Sequence, residues 1–208
     1  MKNKIIKNKI IKNTLILTAI TLVFGLLLGI SYEITKEPIA KSQIAAKQEA
    51  YRLVMPDAEE FQVYEDFDAQ QAISVLQAGD LSENTIEEVV TAMQAGEALG
   101  YVITTTNGNA YGGDITVSVG IALDGTVTGI QFLSISETAG LGMNAARPDF
   151  YEQFNDQQVE RFVVTKTGAS GDGEIDALSG ATITSNAVVG NVNAALAYFQ
   201  EVLKGVNL

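Results

Sequence analysis

The chain contains no cysteine and no histidine. Without thiols there is no disulfide, no thiolate nucleophile and no cysteine-ligated iron–sulfur cluster; without imidazoles there is no histidine general base and no histidine metal site. The redox compartment stays open, because a thiol-free chain suits oxidising and reducing surroundings alike. Acidic residues are missing from the first 32 positions: all twenty-five Asp and Glu lie at or beyond Glu33. Five of the thirteen Lys and Arg (Lys2, Lys4, Lys7, Lys9 and Lys12) precede Asn13, and from Asn13 to Tyr32 there is no charge of either sign.

The rest of the chain carries eight basic against twenty-five acidic residues, a net −17. Such a surface argues against nucleic acid, whose phosphates need basic partners. Met1 to Asn13 is a low-complexity basic leader repeating Lys-Asn-Lys-Ile-Ile. The uncharged twenty residues 13–32, at the helical rise, span roughly 30 Å, the thickness of a bilayer's hydrocarbon core. A signal peptide is the rival reading, but it needs a shorter apolar core and a small-residue cleavage site, which Gly29-Ile30-Ser31-Tyr32-Glu33 matches poorly. A retained single-pass anchor is favoured, with its lysine-rich end in the cytoplasm and the acidic domain outside.

At 208 residues there is room for one medium domain beside the anchor. Pro38 fits the first turn of a new helix, whose imperfect apolar face (Ala40, Ile44, Tyr51, Val54) ends before Pro56. Ala72, Val75 and Leu76 suggest a short helix in an otherwise weakly patterned acidic stretch. From Val89 the period changes: residues 101–106, 115–123 and 127–133 alternate apolar with small or polar residues, as strands do. Asn107-Gly108 and Asp124-Gly125 read as tight hairpin turns, and Ala110-Tyr111-Gly112-Gly113 as a flexible turn. Residues 161–165 make a further strand, and Phe150, Tyr151 and Phe154 are core aromatics. Asp172 and Glu174 do not follow calcium-loop spacing. The fold class is α+β: a twisted antiparallel sheet flanked by helices, preceded by one transmembrane helix.

Near the C-terminus Ser179-Gly180-Ala181-Thr182-Ile183-Thr184-Ser185 precedes apolar residues at Val189, Val192, Leu196, Phe199 and Leu203, a helical stripe. Thr184, Ser185 or Asn186 is placed to cap that helix. A helix start offers free N–H groups and positive potential, so a turn of small residues there suits a phosphate; a plain cap is the simpler alternative. Upstream, Glu137-Thr138-Ala139-Gly140-Leu141-Gly142 brackets a leucine with two glycines, which implies positive φ or close approach.

The string Ile175-Asp176-Ala177-Leu178-Ser179-Gly180-Ala181-Thr182 resembles the flavinylation motif of FMN-binding domains in the G subunit of the Rnf electron transport complex and the C subunit of the sodium-pumping NADH:quinone reductase. The Glu137–Gly142 loop resembles the Glu-Thr-Pro-Gly-Leu-Gly loop of the same families, with Ala139 in place of proline, a change that loosens the loop by about 0.5–1 kcal/mol. The segment Pro148 to Phe154 matches as well, and the compact length favours the Rnf family of the two. The resemblance implies FMN bound covalently through a phosphoester at Thr182 and installed by a separate flavin transferase. It further implies Ser179, Gly180, Ala181 and Thr184 around the phosphate, Asp176 as part of the transferase's recognition, and Glu137, Thr138, Gly140, Leu141 and Gly142 along the ring or ribityl chain. Cysteine and histidine being absent, a hydroxyl is the plausible attachment point.

By the same resemblance the chain is a one-relay electron carrier, not catalytic alone, in an ion-translocating ferredoxin:NAD oxidoreductase whose partners are subunits of the A, B, C, D and E types. Two other readings stay open: a stand-alone anchored flavoprotein serving an external acceptor, and a non-redox surface binding domain. The expected division is 1–34 leader and anchor, 35–60 linker helix, and 61–208 extracytoplasmic FMN domain.

Overall fold

The computed structural model describes the backbone of residues 2–206 and the side chains of residues 9–206. Met1, residues 207–208 and the side chains of Lys2, Lys4 and Lys7 in the basic leader lie outside the described residues. The chain divides into two compact units between Ala45 and Ala46.

The first unit is helical. Helix α1 runs Lys2–Val54 without a break, so no new helix starts at Pro38, which sits inside it. A proline there removes one N–H donor from the ladder, a local loss that a helix of 53 residues absorbs. Among the described residues this is the one helix long and apolar enough to cross a membrane. Two threonine hydroxyls of its uncharged span are paired within the helix: Thr14 Oγ1 donates to the Ile10 carbonyl at 3.0 Å and Thr21 Oγ1 to that of Thr18 at 3.0 Å. Hydroxyls satisfied within the helix are compatible with hydrocarbon.

The second unit is built on a five-stranded antiparallel sheet in meander order, β1 (Glu60–Val63), β2 (Asn84–Gln94), β3 (Glu97–Asn107), β4 (Ile115–Ala122) and β5 (Val127–Ser134). Helix α2 (Ala69–Ala78) separates β1 from β2 and is capped by Asp68, whose carboxylate accepts from the Gln70 and Gln71 N–H groups at 2.7 and 3.3 Å. After β5 come a 3₁₀ turn (Gly142–Ala146), the short α3 (Pro148–Tyr151), the parallel pair β6 (Val163–Thr165) and β7 (Glu174–Asp176), and helix α4 (Thr182–Tyr198). The final turn of α4 widens into a π turn at Phe199–Leu203, with Lys204 N–H reaching the Phe199 carbonyl at 2.8 Å.

Alternation along the strands puts different residues on the two faces of the sheet. One face carries Ile86, Val89, Tyr101, Ile103, Ile115, Val117 and Val119 into a core closed by α2 and α4. Helix α4 is enclosed far beyond a stripe: Ala187, Val188, Asn191, Asn193 and Ala194 are buried with Val189, Val192 and Leu196. Its buried amides reach the sheet and the β6 region, Asn191 Nδ2 donating to the Ile115 carbonyl at 3.0 Å while its Oδ1 has no partner among the described residues, and Asn193 bonding Phe162 N–H and C=O at 2.8 and 3.0 Å. Phe150 and Phe154 are core residues, with Phe154 edge-on to Phe162 at 5.1 Å, whereas Tyr151 is half-buried.

The opposite face receives the end of α1. Tyr51, Val54 and Met55 pack on Val90, Ala92 and Val102, while Ala40 and Ile44 of the expected linker face stay exposed. Gly120 lets this happen, since a Cβ there would lie 2.7 Å from the Val54 carbonyl oxygen. Glu88 in β2 accepts from Lys47 Nζ at 2.6 Å and Tyr51 OH at 2.8 Å. Burial pushes the Glu88 carboxyl up, but the bonds from Lys47 and Tyr51 and the Lys47 charge outweigh it, so the group titrates below the usual range. A depressed carboxyl stabilises the fold above the unfolded value of about 4.3 and loses that contribution as pH falls through the folded value. Glu88→Gln should therefore cost about 1 kcal/mol at neutral pH, an effect moderated by the partial exposure of the pair. Thermal unfolding of the full chain in detergent should show the gap from wild type closing below about pH 4.

The turns differ in part from expectation. Asp124-Gly125 is a tight turn, with Asp124 Oδ1 accepting the Thr126 N–H at 2.9 Å and Gly125 at φ +93°. Asn107-Gly108 is not: Asn107 ends β3, its carbonyl side-chain oxygen accepts from Asn109 N–H at 2.9 Å, and the chain continues to Asp114 before β4 begins. The tight turn lies instead between β2 and β3 at Ala95-Gly96, with φ +52° and +84°.

Candidate functional site

The motif turn is held from both sides. Ala177 N–H bonds the Thr165 carbonyl at 2.8 Å, which ties the segment to β6, and Ala181 N–H bonds Leu178 C=O at 3.0 Å across Gly180, which stands at φ +75°. Ser185 Oγ accepts from Leu178 N–H at 2.9 Å and donates to Ala181 C=O at 3.1 Å, so this hydroxyl closes the turn onto the first turn of α4.

Ala181 is the residue before the helix, and no side chain caps it. None of Thr184, Ser185 and Asn186 is the cap: all three lie inside the helix, because the first helical bond already runs from Ser185 N–H to Ala181 C=O at 3.0 Å. Thr182 occupies the first helical position, half-buried, and Thr184 the third, 1% exposed. The leading N–H groups of α4 are consequently free of side-chain acceptors, and they carry the positive end of the helix dipole.

Facing this helix start is the loop after β5. Leu141 and Met143 N–H groups both bond the Thr138 carbonyl, at 3.1 and 3.2 Å, which folds the loop back on itself. Its two glycines serve different ends. Gly140 takes φ +78° in open space, whereas at Gly142 a Cβ would lie 2.5 Å from Glu137 Oε2 and 2.6 Å from Thr184 Oγ1. Gly142 thus marks the point where Glu137, the loop and α4 meet. Glu137 is 9% exposed, and its Oε1 accepts the Gly112 N–H at 3.1 Å, which brings the β3–β4 loop to the same place.

Between these walls lies a cavity of about 510 Å³. Glu137, Thr138, Leu141 and Gly142 line one side, Gly180 to Thr184 another, and Tyr111 the third. Ser179, Gly140 and Asp176 stand off the lining. Asp176 accepts the Ala169 N–H at 2.6 Å and donates its own N–H to Gln153 at 2.7 Å, so it orders the preceding loop. Tyr111 and Ile183 line the cavity without having been singled out from sequence; the glycine pair after Tyr111 was the available signal.

A larger cavity of about 700 Å³ shares Ile183 with this one. Its buried amides are already matched: Asn107 Nδ2 donates to Asn84 Oδ1 at 2.9 Å and Asn84 Nδ2 to Leu81 C=O at 3.2 Å. Thr184 Oγ1 is one of four buried side-chain polar atoms without a partner among the described residues, and its residue lines the smaller cavity. A buried hydroxyl left unpaired costs roughly 1–3 kcal/mol, which a ligand oxygen in the smaller cavity would recover. The residues present fit a phosphate-bearing planar cofactor: an uncapped helix start, an orphan hydroxyl, two glycines where side chains would intrude, and an apolar rim of Leu141, Ile183 and Tyr111.

Comparison with known proteins agrees with this geometry. Residues 110–197 match the FMN-binding domain family model and residues 1–54 the RnfG N-terminal region. The chain is 32% identical to the G subunit of the Na(+)-translocating ferredoxin:NAD(+) oxidoreductase complex of Acetobacterium woodii, over 90% of each chain. It is 31% identical to the G subunit of the ion-translocating oxidoreductase complex of Methanosarcina acetivorans, covering 88% of this chain and 90% of the relative. Among solved structures, the C subunit of the Na(+)-translocating NADH-quinone reductase from Parabacteroides distasonis shares the fold, with a TM-score of 0.51 at 24% identity over 72% of this chain and 80% of that one.

Proposed function

We infer the function from a premise of kinship: the chain belongs to the RnfG family, the G subunits of Rnf-type ion-translocating oxidoreductase complexes. It is an electron-transfer subunit whose domain binds FMN, working with the other subunits of a membrane-associated complex. The finer reading is that FMN is joined to Thr182 through a phosphoester installed by a flavin transferase. The observation that carries it is the unpaired Thr184 hydroxyl beside the uncapped start of α4, with Thr182 at its first position.

Bound FMN supplies the redox chemistry, taking electrons singly or in pairs. The chain's own residues hold it. The free N–H groups of α4 and the Thr184 hydroxyl stabilise phosphate oxygens, Gly180 keeps the turn clear, and Leu141 packs against the turn, 3.3 Å from where a Gly180 Cβ would be. The lining contains no lysine or arginine and does contain Glu137, so the only positive charge offered to the phosphate is the helix dipole's partial one. A covalent bond makes good that weak hold and keeps the cofactor from being lost to a dilute exterior.

In this reading residues 1–34 are leader and single-pass anchor with a cytoplasmic N-terminus, 35–60 link it to the domain, and 61–208 form the extracytoplasmic FMN domain. Co-expression of the full chain with an active flavin transferase should give one added flavin phosphate by intact mass and a fluorescent band after denaturing electrophoresis. A colourless chain of unmodified mass, beside a control protein that the same transferase does label, would overturn the covalent reading.

A further inference from the structure

The segment Ala110-Tyr111-Gly112-Gly113 enters the assignment above only as part of the cavity's rim, yet the fold places it tightly. Gly112 is pressed against the β5 exit, where a Cβ would overlap the Ser136 carbonyl oxygen and come within 3.1 Å of Glu137 Cα. Its N–H is fixed by the buried Glu137 carboxylate. The backbone on one side of Tyr111 is therefore held to the far wall of the cavity. The side chain, by contrast, is 71% exposed, the most exposed large hydrophobic beyond α1 among the described residues, and no aromatic ring packs on it. A pinned backbone that presents an uncovered phenol at a cavity mouth, opposite Leu141 and Ile183 (44% and 53% exposed), is arranged to meet something flat.

Resting on the FMN reading, we propose that Tyr111 is a positioning residue that stacks on the isoalloxazine ring of the bound flavin and covers it from solvent. Aromatic stacking orients the ring without a charge, and covering one face excludes water and small oxidants from a reduced flavin. A phenol in van der Waals contact also quenches the excited flavin, by giving it an electron and taking the electron back, so the contact has an optical signature that a purely structural role lacks.

The test uses the full-length flavinylated chain in detergent, with Tyr111→Leu and Tyr111→Phe beside wild type. In-gel fluorescence of the denatured chains measures loading; flavin fluorescence of the folded proteins and its quenching by iodide measure the contact. The expected result is equal loading, a severalfold rise in folded-state fluorescence in both variants, and greater iodide accessibility in Tyr111→Leu alone, because phenylalanine still covers the ring. Folded-state fluorescence and iodide accessibility unchanged in Tyr111→Leu at normal loading would overturn the inference while leaving the cofactor assignment intact. No loading in wild type would remove the assignment and the inference together.

Discussion

Thr182→Ala should leave no flavin on the denatured chain, where the wild-type protein co-expressed with its transferase shows a fluorescent band. The loss is expected to be complete, since alanine has no oxygen to form the ester. The fold should survive it: Thr182 is at the first position of α4, half-buried, where the cap is already a side chain without hydroxyl, and alanine is a good helix former. Far-ultraviolet circular dichroism and elution on size exclusion should match wild type. Any flavin carried through native purification by the variant should leave on dilution, because the lining offers neither lysine nor arginine to the phosphate. A denaturation-resistant yellow band in Thr182→Ala would move the attachment point elsewhere.

The second large effect is expected at Gly142. Its substitution by alanine brings Cβ within 2.5 Å of Glu137 Oε2, 2.6 Å of Thr184 Oγ1 and 2.8 Å of Glu137 Cβ. None of the three is the free end of an exposed chain, so the loop or the carboxylate must shift, and with it the bond that holds Gly112. Overpacking of this kind costs about 1–3 kcal/mol. For a domain of this size each kcal/mol lowers the melting temperature by roughly 2–4 °C. Flavin loading should fall with it, since the clash lies in the cavity wall. Gly140→Ala is the informative companion: it has open space but φ +78°, so it should cost roughly 1 kcal/mol of backbone strain while leaving loading near normal. A Gly142→Ala variant as stable and as well loaded as wild type would contradict the packing described.

Strands β3, β4 and β5 were legible because each alternates apolar with small residues, and because Asp124-Gly125 carries its own turn chemistry. Strand β2 was not among them. Asn84 and Glu88 carry no strand signal of their own, and they are buried or half-buried through partners far along the chain, Asn107 for one and Lys47 with Tyr51 for the other. Ala95-Gly96 was missed as a turn for a local reason. A residue with a Cβ at φ +52° is disfavoured by about 1–2 kcal/mol, so alanine does not announce the position, and only the pairing of β2 with β3 imposes it. The cap of α4 was misplaced for the opposite reason, since Ser185 has the chemistry of a cap and uses it on the Leu178–Ala181 turn instead.

By itself the sequence determined what depends on neighbours along the chain: an uncharged span long enough for a bilayer, three alternating strands, a small-residue turn before a helix, and the hydroxyl at position 182. Tertiary structure alone decided which of those groups share a cavity. It left Asp176, Ser179 and Gly140 off the lining, brought Tyr111 onto it, and left the Thr184 oxygen without a partner. The reason is that side-chain chemistry is encoded position by position, whereas the gap between two loops depends on strand register and on how closely glycines such as Gly112 and Gly142 let separate segments approach.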